Sequence, residues 1–236
     1  MYKKISVFFI LSLFIISVGS VFGLKPKIGF AEPDLNFSSK SAYLMDADSK
    51  TVVFKQNETK RAPIASMCKI MTLLLSFEAI DAGELSLDES IAVSENASGM
   101  GGSQVFLETG GEYKVNELIK SITVASANDA SVAVAERISG SENAFVDKMN
   151  EKAASLGMND TVFTNCTGLP KAGQYSCAKD VAIMFSELIK HKAYFNYSKI
   201  WMDEITHPKG RVTQISNTNK LIRFYNGCDA GKTGYT

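Results

Sequence analysis

Residues 229–236 read DAGKTGYT, and how Gly231-Lys232-Thr233-Gly234 is read decides which fold the chain can have. A phosphate-binding loop requires G-x-x-x-x-G-K-[ST] between a strand and a helix, so that backbone amides wrap the phosphates. That spacing is absent. Asn226 stands five residues before Gly231, the nearest glycine is Gly227, and Tyr235-Thr236 supplies no helix N-terminus to complete a phosphate cradle. The alternative is a K-T-G strand that offers a cation for an anionic group, a hydroxyl beside it, and a glycine that lets a substrate backbone approach. K-T-G occurs once in the chain and carries meaning only if a nucleophile and its base lie upstream.

Bulk properties allow that reading and exclude others. The chain has 236 residues, 45% hydrophobic and 21% charged, which fits one globular domain with a sizeable core. Formal net charge is zero with two histidines and no long basic run, so nothing points to nucleic acid. Lys3 and Lys4 precede the apolar run ISVFFILSLFIISVGSVFG, the layout of a secretory signal peptide spanning residues 1–31, with cleavage after Gly23 or Ala31. An uncleaved membrane anchor is the competing reading, and both place the rest of the chain outside the cytoplasmic membrane. Cys68, Cys166, Cys177 and Cys228 fit no zinc spacing, and no metal or other cofactor is expected. Cys166 and Cys177 could pair across a loop; small buried thiols are the alternative.

The pattern along residues 32–236 is strands, then helices, then strands. SAYLMDADSKTVVFKQN reads as a hairpin turning at Asp46–Lys50. SMCKIMTLLLSFEAI reads as a helix buried on most sides, introduced by a proline and stopped near Gly83. ASGMGGSQVFLETGGEY is a glycine-rich loop long enough to border a site. VNELIKSITVAS, DASVAVAERISG, SENAFVDKMNEKAASLG and CAKDVAIMFSELIKH are helical, and strand or loop segments run from Ile205 onward. The order predicts an α+β fold with one antiparallel sheet, assembled from both ends of the chain and flanked by a helical region.

A histidine-based triad has only His191 and His207 to draw on, and neither lies near a G-x-S-x-G elbow. Lysine is the remaining candidate base. In S-x-x-K on a helix, residues three apart share a face, so a desolvated lysine amine can take the serine proton. The motif occurs as Ser66–Lys69 and as Ser176–Lys179. Ser66 opens the apolar helix that would bury Lys69, whereas Ser176 falls in a polar stretch where Lys179 would be solvated; an N-cap is the other role open to Ser66. S-x-N, a hydroxyl to relay a proton and an amide to hold a carbonyl, occurs at Ser94–Asn96, Ser126–Asn128 and Ser141–Asn143. Ser141 has the setting of an N-cap, and only Ser126–Asn128 lies between two apolar helices, where buried polar groups need a reason.

With S-x-x-K, S-x-N and K-T-G in that order, the chain resembles the low-molecular-mass penicillin-binding proteins of the D-alanyl-D-alanine carboxypeptidase family. APIASMCKIMT, SITVASANDASVAVAE, FVDKMNEKAASLGMNDTVFTNCTGLP, NTNKL and KTGYT extend the resemblance from Ser41 to Thr236. It implies a β-lactamase/transpeptidase-like fold and a set of roles: Ser66 as nucleophile, Lys69 as its base, and Ser126 as proton relay. Asn128 would hold the substrate amide. Lys232, Thr233 and Gly234 would bind the terminal carboxylate end of a peptidoglycan stem peptide ending in D-Ala-D-Ala, and the backbone amides of Ser66 and Tyr235 would form the oxyanion hole. Penicillins would acylate Ser66 as mimics of that peptide. Cys68 and Gly231 depart from the family's usual residues. Members of the family continue past K-T-G with further strands, a closing helix and often a domain with a C-terminal membrane anchor, so the resemblance also implies a catalytic domain truncated after K-T-G, with its edge strand unpaired. Two alternatives remain open: a class A-like β-lactamase, against which stands the lack of glutamate from Thr161 to Asp180, and a non-catalytic protein that binds cell-wall peptide.

Overall fold

The computed structural model describes residues 38–236, and in it the apolar run that follows Ser66 becomes the helix around which the others pack. The leader expected over residues 1–31 lies outside the described residues. The described residues open with a hairpin, β1 (Ala42–Met45) and β2 (Val52–Gln56), whose turn is closed by Asp46, the carboxylate accepting from the Ser49 amide at 2.8 Å. A 3₁₀ turn at Ala65–Cys68 leads into α1 (Lys69–Asp81). Ile70, Met71, Leu73, Leu74 and Phe77 of α1 are all buried, which is what an uninterrupted apolar run requires of its surroundings.

Next come β3 (Ser90–Ala92), the single turn α2 (Glu95–Ser98), β4 (Glu112–Lys114), and three helices: α3 (Val115–Val124), α4 (Asn128–Ser139) and α5 (Glu142–Ser155). Their boundaries follow from local chemistry. Gly140 takes the left-handed conformation that ends α4, and the Ser141 hydroxyl accepts from the Ala144 amide to begin α5. After α6 (Ala178–Leu188) and the short α7 (Phe195–Ser198), the hairpin of β5 (Met202–Thr206) and β6 (Val212–Ser216) precedes a single turn, α8 (Leu221–Phe224). α1 packs against α3, α4, α5 and α6, and α6 carries β1 on another side.

Among the described residues strand pairing is antiparallel, but it forms three separate two-stranded ladders, β1–β2, β3–β4 and β5–β6, in place of one sheet built from both ends. The β3–β4 ladder was not foreseen; strands of three residues are too short to show an alternating pattern. The segment carrying Lys232 joins no ladder among the described residues. It is held by other means: the Ser198 hydroxyl donates to the Asp229 carbonyl at 2.6 Å, and the backbone at Gly234 passes so close to the turn before Ser66 that a Cβ there would sit 2.5 Å from the Ile64 carbonyl oxygen. All four cysteines are free thiols, with Cys68, Cys166 and Cys177 buried, so the buried-thiol reading holds over the Cys166–Cys177 pairing.

Candidate active site

Ser66 lies in the 3₁₀ turn just before α1, three residues ahead of Lys69, and the Lys69 amine stands 3.3 Å from its hydroxyl oxygen. The hydroxyl caps neither the turn nor the helix, so the N-cap role is not the one it takes. Ala65, immediately before it, has a φ of 45°, a left-handed conformation that is uncommon outside glycine. Lys69 is wholly buried; it donates to Asn128 Oδ1 at 2.6 Å and to the Thr167 carbonyl at 2.5 Å. Burial pushes its ammonium down to about 8, against the smaller opposing pull of Cys68, Cys166 and Asp129. Cys68, inside the same motif, does not compete as a nucleophile. Its thiol is buried, donates to the Asn165 carbonyl at 3.3 Å, and is pushed up to about 12 by desolvation.

The second segment lies between α3 and α4. Ser126 has a φ of 60° and is nearly fully buried, as its place between two apolar helices requires. Asn128 opens α4, and its side-chain amide donates to the Gly101 carbonyl at 2.7 Å while its backbone amide donates to Ser103 at 2.7 Å. The glycine-rich loop therefore does border the site. That loop is held from beneath by Asp129, whose buried carboxylate accepts from the backbone amides of Val105 and Leu107, each at 3.1 Å.

Lys232 closes the arrangement, donating to the Ser126 hydroxyl at 2.7 Å and to the Thr233 carbonyl at 3.2 Å. Burial of its amine, with the Lys69 cation nearby, pushes it down to about 7. Thr233, Gly234 and Tyr235 are exposed at the mouth, Tyr235 almost completely. A cavity of about 510 Å³ adjoins them, lined by Ala65, Gly168, Leu169, Pro170, Gln174 and Tyr235 among others. Three segments distant in sequence, 66–69, 126–128 and 232–235, thus share one hydrogen-bonded site.

The competing motifs have other work. Ser94 caps α2 and donates to Glu136 at 2.6 Å, while Asn96 donates to the other oxygen of the same carboxylate at 2.8 Å. Ser176 is fully buried, not in a solvated turn as its polar neighbours implied, and shares a 2.8 Å hydrogen bond with Thr161. His207 sits in a separate cluster with Tyr113 and Thr213, and His191 pairs with Asp81. Sequence reasoning missed Asp129, the Thr167 carbonyl and Gly168. Asp129 had a usable signal, an acidic residue in the first turn of a helix beside the chosen Asn128. A backbone carbonyl has none.

Comparison with known proteins agrees with this geometry. The peptidase family S11, D-alanyl-D-alanine carboxypeptidase, matches residues 28–236. The chain is 47% identical over 203 residues to D-alanyl-D-alanine carboxypeptidase DacF of Bacillus subtilis, covering 86% of this chain and 52% of that protein. It is 35% identical over 204 residues to D-alanyl-D-alanine carboxypeptidase DacA of Escherichia coli, covering 84% and 50%. Among solved structures, penicillin binding protein 6B of Escherichia coli superimposes with a TM-score of 0.80 at 29% identity, covering 89% of this chain and 67% of that one. The chain thus spans about half the length of these two curated relatives. A match along nearly the whole chain, a shared fold and three converging motif segments place it plainly: the chain belongs to the D-alanyl-D-alanine carboxypeptidase family.

Proposed function

We propose that residues 32–236 carry the catalytic unit of a serine-type D-Ala-D-Ala carboxypeptidase that removes the terminal D-alanine from peptidoglycan stem peptides. The observation that supports it is the buried Lys69 amine beside the Ser66 hydroxyl, with Lys232 and Ser126 joined across the same site. In this reading Ser66 Oγ attacks the carbonyl carbon of the penultimate D-alanine as its proton passes to neutral Lys69. The negative oxygen that forms is met by the backbone amides of Ser66 and Tyr235. Collapse breaks the C–N bond, and the proton held by Lys69 reaches the departing amine through the Ser126 hydroxyl, which Lys232 orients. Lys232 and Thr233 hold the carboxylate of the leaving residue, and Asn128 holds the peptide amide. Water then cleaves the ester and returns Ser66.

Penicillins carry a carboxylate and a strained amide in the same relation and would acylate the same oxygen. Persistence of that ester is expected, because residues 161–180 hold no glutamate and their single acidic residue, Asp180, accepts from Thr161 Oγ1 at 2.8 Å and from the Asp160 amide at 2.9 Å. Such a substrate lies outside the cytoplasmic membrane, and the leader of residues 1–31 supplies the export it requires.

The test is intact-mass analysis of the chain after incubation with a penicillin, beside Ser66→Ala. One adduct per chain that is lost in the variant supports the assignment. An adduct that survives Ser66→Ala, or a chain that never acylates while cleaving no D-Ala-D-Ala peptide, refutes it.

A further inference from the structure

A neutral lysine amine has two N–H bonds and one lone pair. Asn128 Oδ1 and the Thr167 carbonyl take two N–H directions of Lys69, which leaves the third, the lone pair of a neutral amine, for the Ser66 proton. The orientation of the base therefore depends on where the Thr167 carbonyl is held. The Thr167 hydroxyl is engaged within its own turn, donating to Asn165 Oδ1 at 3.4 Å and accepting from the Leu169 amide at 3.3 Å, so the aim of the peptide group depends on what holds that turn.

Residues 165–169 fold around the side chain of Asn165. Its Oδ1 accepts from the Gly168 amide at 2.7 Å and from the Thr167 amide at 3.3 Å, and its Nδ2 donates to the Leu169 carbonyl at 2.8 Å. The Asn165 carbonyl meanwhile accepts from the Cys68 thiol at 3.3 Å, which ties the turn to the helix that carries Lys69. The next residue is anchored from two helices: Thr72 Oγ1 donates to the Cys166 carbonyl at 2.7 Å, and the Cys166 amide donates to Glu142 at 3.1 Å. The start of the turn is fixed by these anchors, whereas its far side, where the Thr167 carbonyl points at Lys69, is closed by the Asn165 amide.

We propose that Asn165 is a positioning residue for the Ser66–Lys69 pair, acting through the Thr167 carbonyl to hold the Lys69 amine with its lone pair toward Ser66. The proposal rests on the reading of Ser66 and Lys69 as nucleophile and base. The titratable groups facing Lys69 are the Cys68 and Cys166 thiols, the Asp129 carboxylate and the Lys232 amine; none of them is altered by changing Asn165.

The experiment uses the full chain, Asn165→Ala and Asn165→Asp, with two readouts: the limiting rate of acylation by a penicillin as a function of pH, and the titration of Lys69 followed by ¹³C NMR of its side chain. Asn165→Ala releases the Thr167 carbonyl and admits water. The limiting rate falls by about 10²-fold, the cost of a misplacement near 1 Å, and the Lys69 ionisation moves up toward that of an exposed lysine. Asn165→Asp keeps the acceptor for the Gly168 amide but adds a carboxylate, so the ionisation also rises while the rate recovers to within about tenfold of the parent at high pH. A purely structural role would lower the melting temperature of both variants and leave the pH profile and the Lys69 titration where they were; that result overturns the proposal. If the parent fails to acylate while Lys69 still titrates low and shifts with Asn165, the positioning stands and the catalytic reading of Ser66 fails.

Discussion

Replacing Gly168 by alanine tests the geometry of the nucleophile turn most directly. The φ of Gly168 is 84°, and a Cβ built there would lie 1.9 Å from the Ala65 carbonyl oxygen and 2.9 Å from the Ser66 amide nitrogen. Left-handed backbone costs an alanine about 1–2 kcal/mol. The clash adds more, because its partners are main-chain atoms that cannot rotate away. Bringing 1.9 Å out to the 3.0 Å that real Cβ atoms respect needs a separation of 3.0 − 1.9 = 1.1 Å. The atoms that must part are the residue before the proposed nucleophile and the residue after the Thr167 carbonyl. A shift near 1 Å at reacting groups costs about 10² in rate, and the combined strain should destabilise the fold by about 2–4 kcal/mol, or roughly 5–15 °C in melting temperature. Gly140→Ala is the control. Its φ is 77° with nothing within 4 Å, so it carries the backbone strain without the clash and sits at the end of α4. The assay is penicillin acylation followed by mass and stopped-flow fluorescence, with thermal melts alongside. Gly168→Ala acylating at the parent rate, or Gly140→Ala losing as much activity, would refute the reasoning.

The pH behaviour follows from the two depressed lysines. With a penicillin carboxylate bound beside Lys232, Lys69 alone limits acylation, so the saturated rate rises about tenfold per pH unit and levels above about 8, where a lysine at 10.5 would give no plateau. The same shift means the unfolded chain binds more protons than the folded one between pH 8 and 10.5, so stability rises across that window, by about 3 kcal/mol from Lys69, as chemical denaturation at stepped pH should show. At Ser126, φ of 60° favours glycine over alanine; Ser126→Gly should be about 1 kcal/mol more stable than Ser126→Ala, while both acylate about 10²-fold or more slower than the parent, and equal melts would contradict the strain. Ser176→Ala removes a buried hydrogen bond to Thr161 and should cost about 1 kcal/mol in a melt with no change in acylation; a lost adduct would mean the wrong S-x-x-K was chosen.

Much of this site was legible because its parts announce themselves through burial. Lys69 follows an opening serine and precedes a mostly apolar run that is buried on nearly every side, so a lysine in that setting is drawn out of water with its helix. Ser126 and Asn128 stood out as polar residues between two apolar helices. Ser176 shows where that logic weakens: its polar neighbours implied a polar turn, yet it is buried, in a segment that an antiparallel bridge ties to Ala62, just ahead of Ser66. Such pairing between residues more than a hundred apart leaves no periodic trace. The K-T-G segment was expected as a strand through the motif and the family resemblance, and as an edge left unpaired; among the described residues it joins no ladder. The Thr167 carbonyl was invisible for a plainer reason, since every residue has one and only the turn around Asn165 makes this one matter.

The electrostatics link the two lysines to what the site is built to hold. Neither Lys69 nor Lys232 has a carboxylate salt-bridge partner among the described residues; Lys69 meets the neutral oxygens of Ser66, Asn128 and Thr167, and Lys232 those of Ser126 and Thr233. The buried acid nearby, Asp129, directs its oxygens to the amides of Val105 and Leu107 and makes no ion pair with either lysine, acting on Lys69 only at a distance. Desolvation of both amines depresses both, the Lys69 cation adding to it at Lys232, while Asp129 and the Cys68 and Cys166 thiols only partly oppose it at Lys69. In the proposed function a ligand carboxylate at Lys232 and Thr233 would supply an anion to that site. It would restore the proton to Lys232 and leave Lys69, held by the dipoles of Asn128 and Thr167, as the amine that gives up its proton more readily. In that reading one fold-level cost, the burial of two amines, would separate an anion-binding lysine from a basic one, and an anionic ligand would complete the separation.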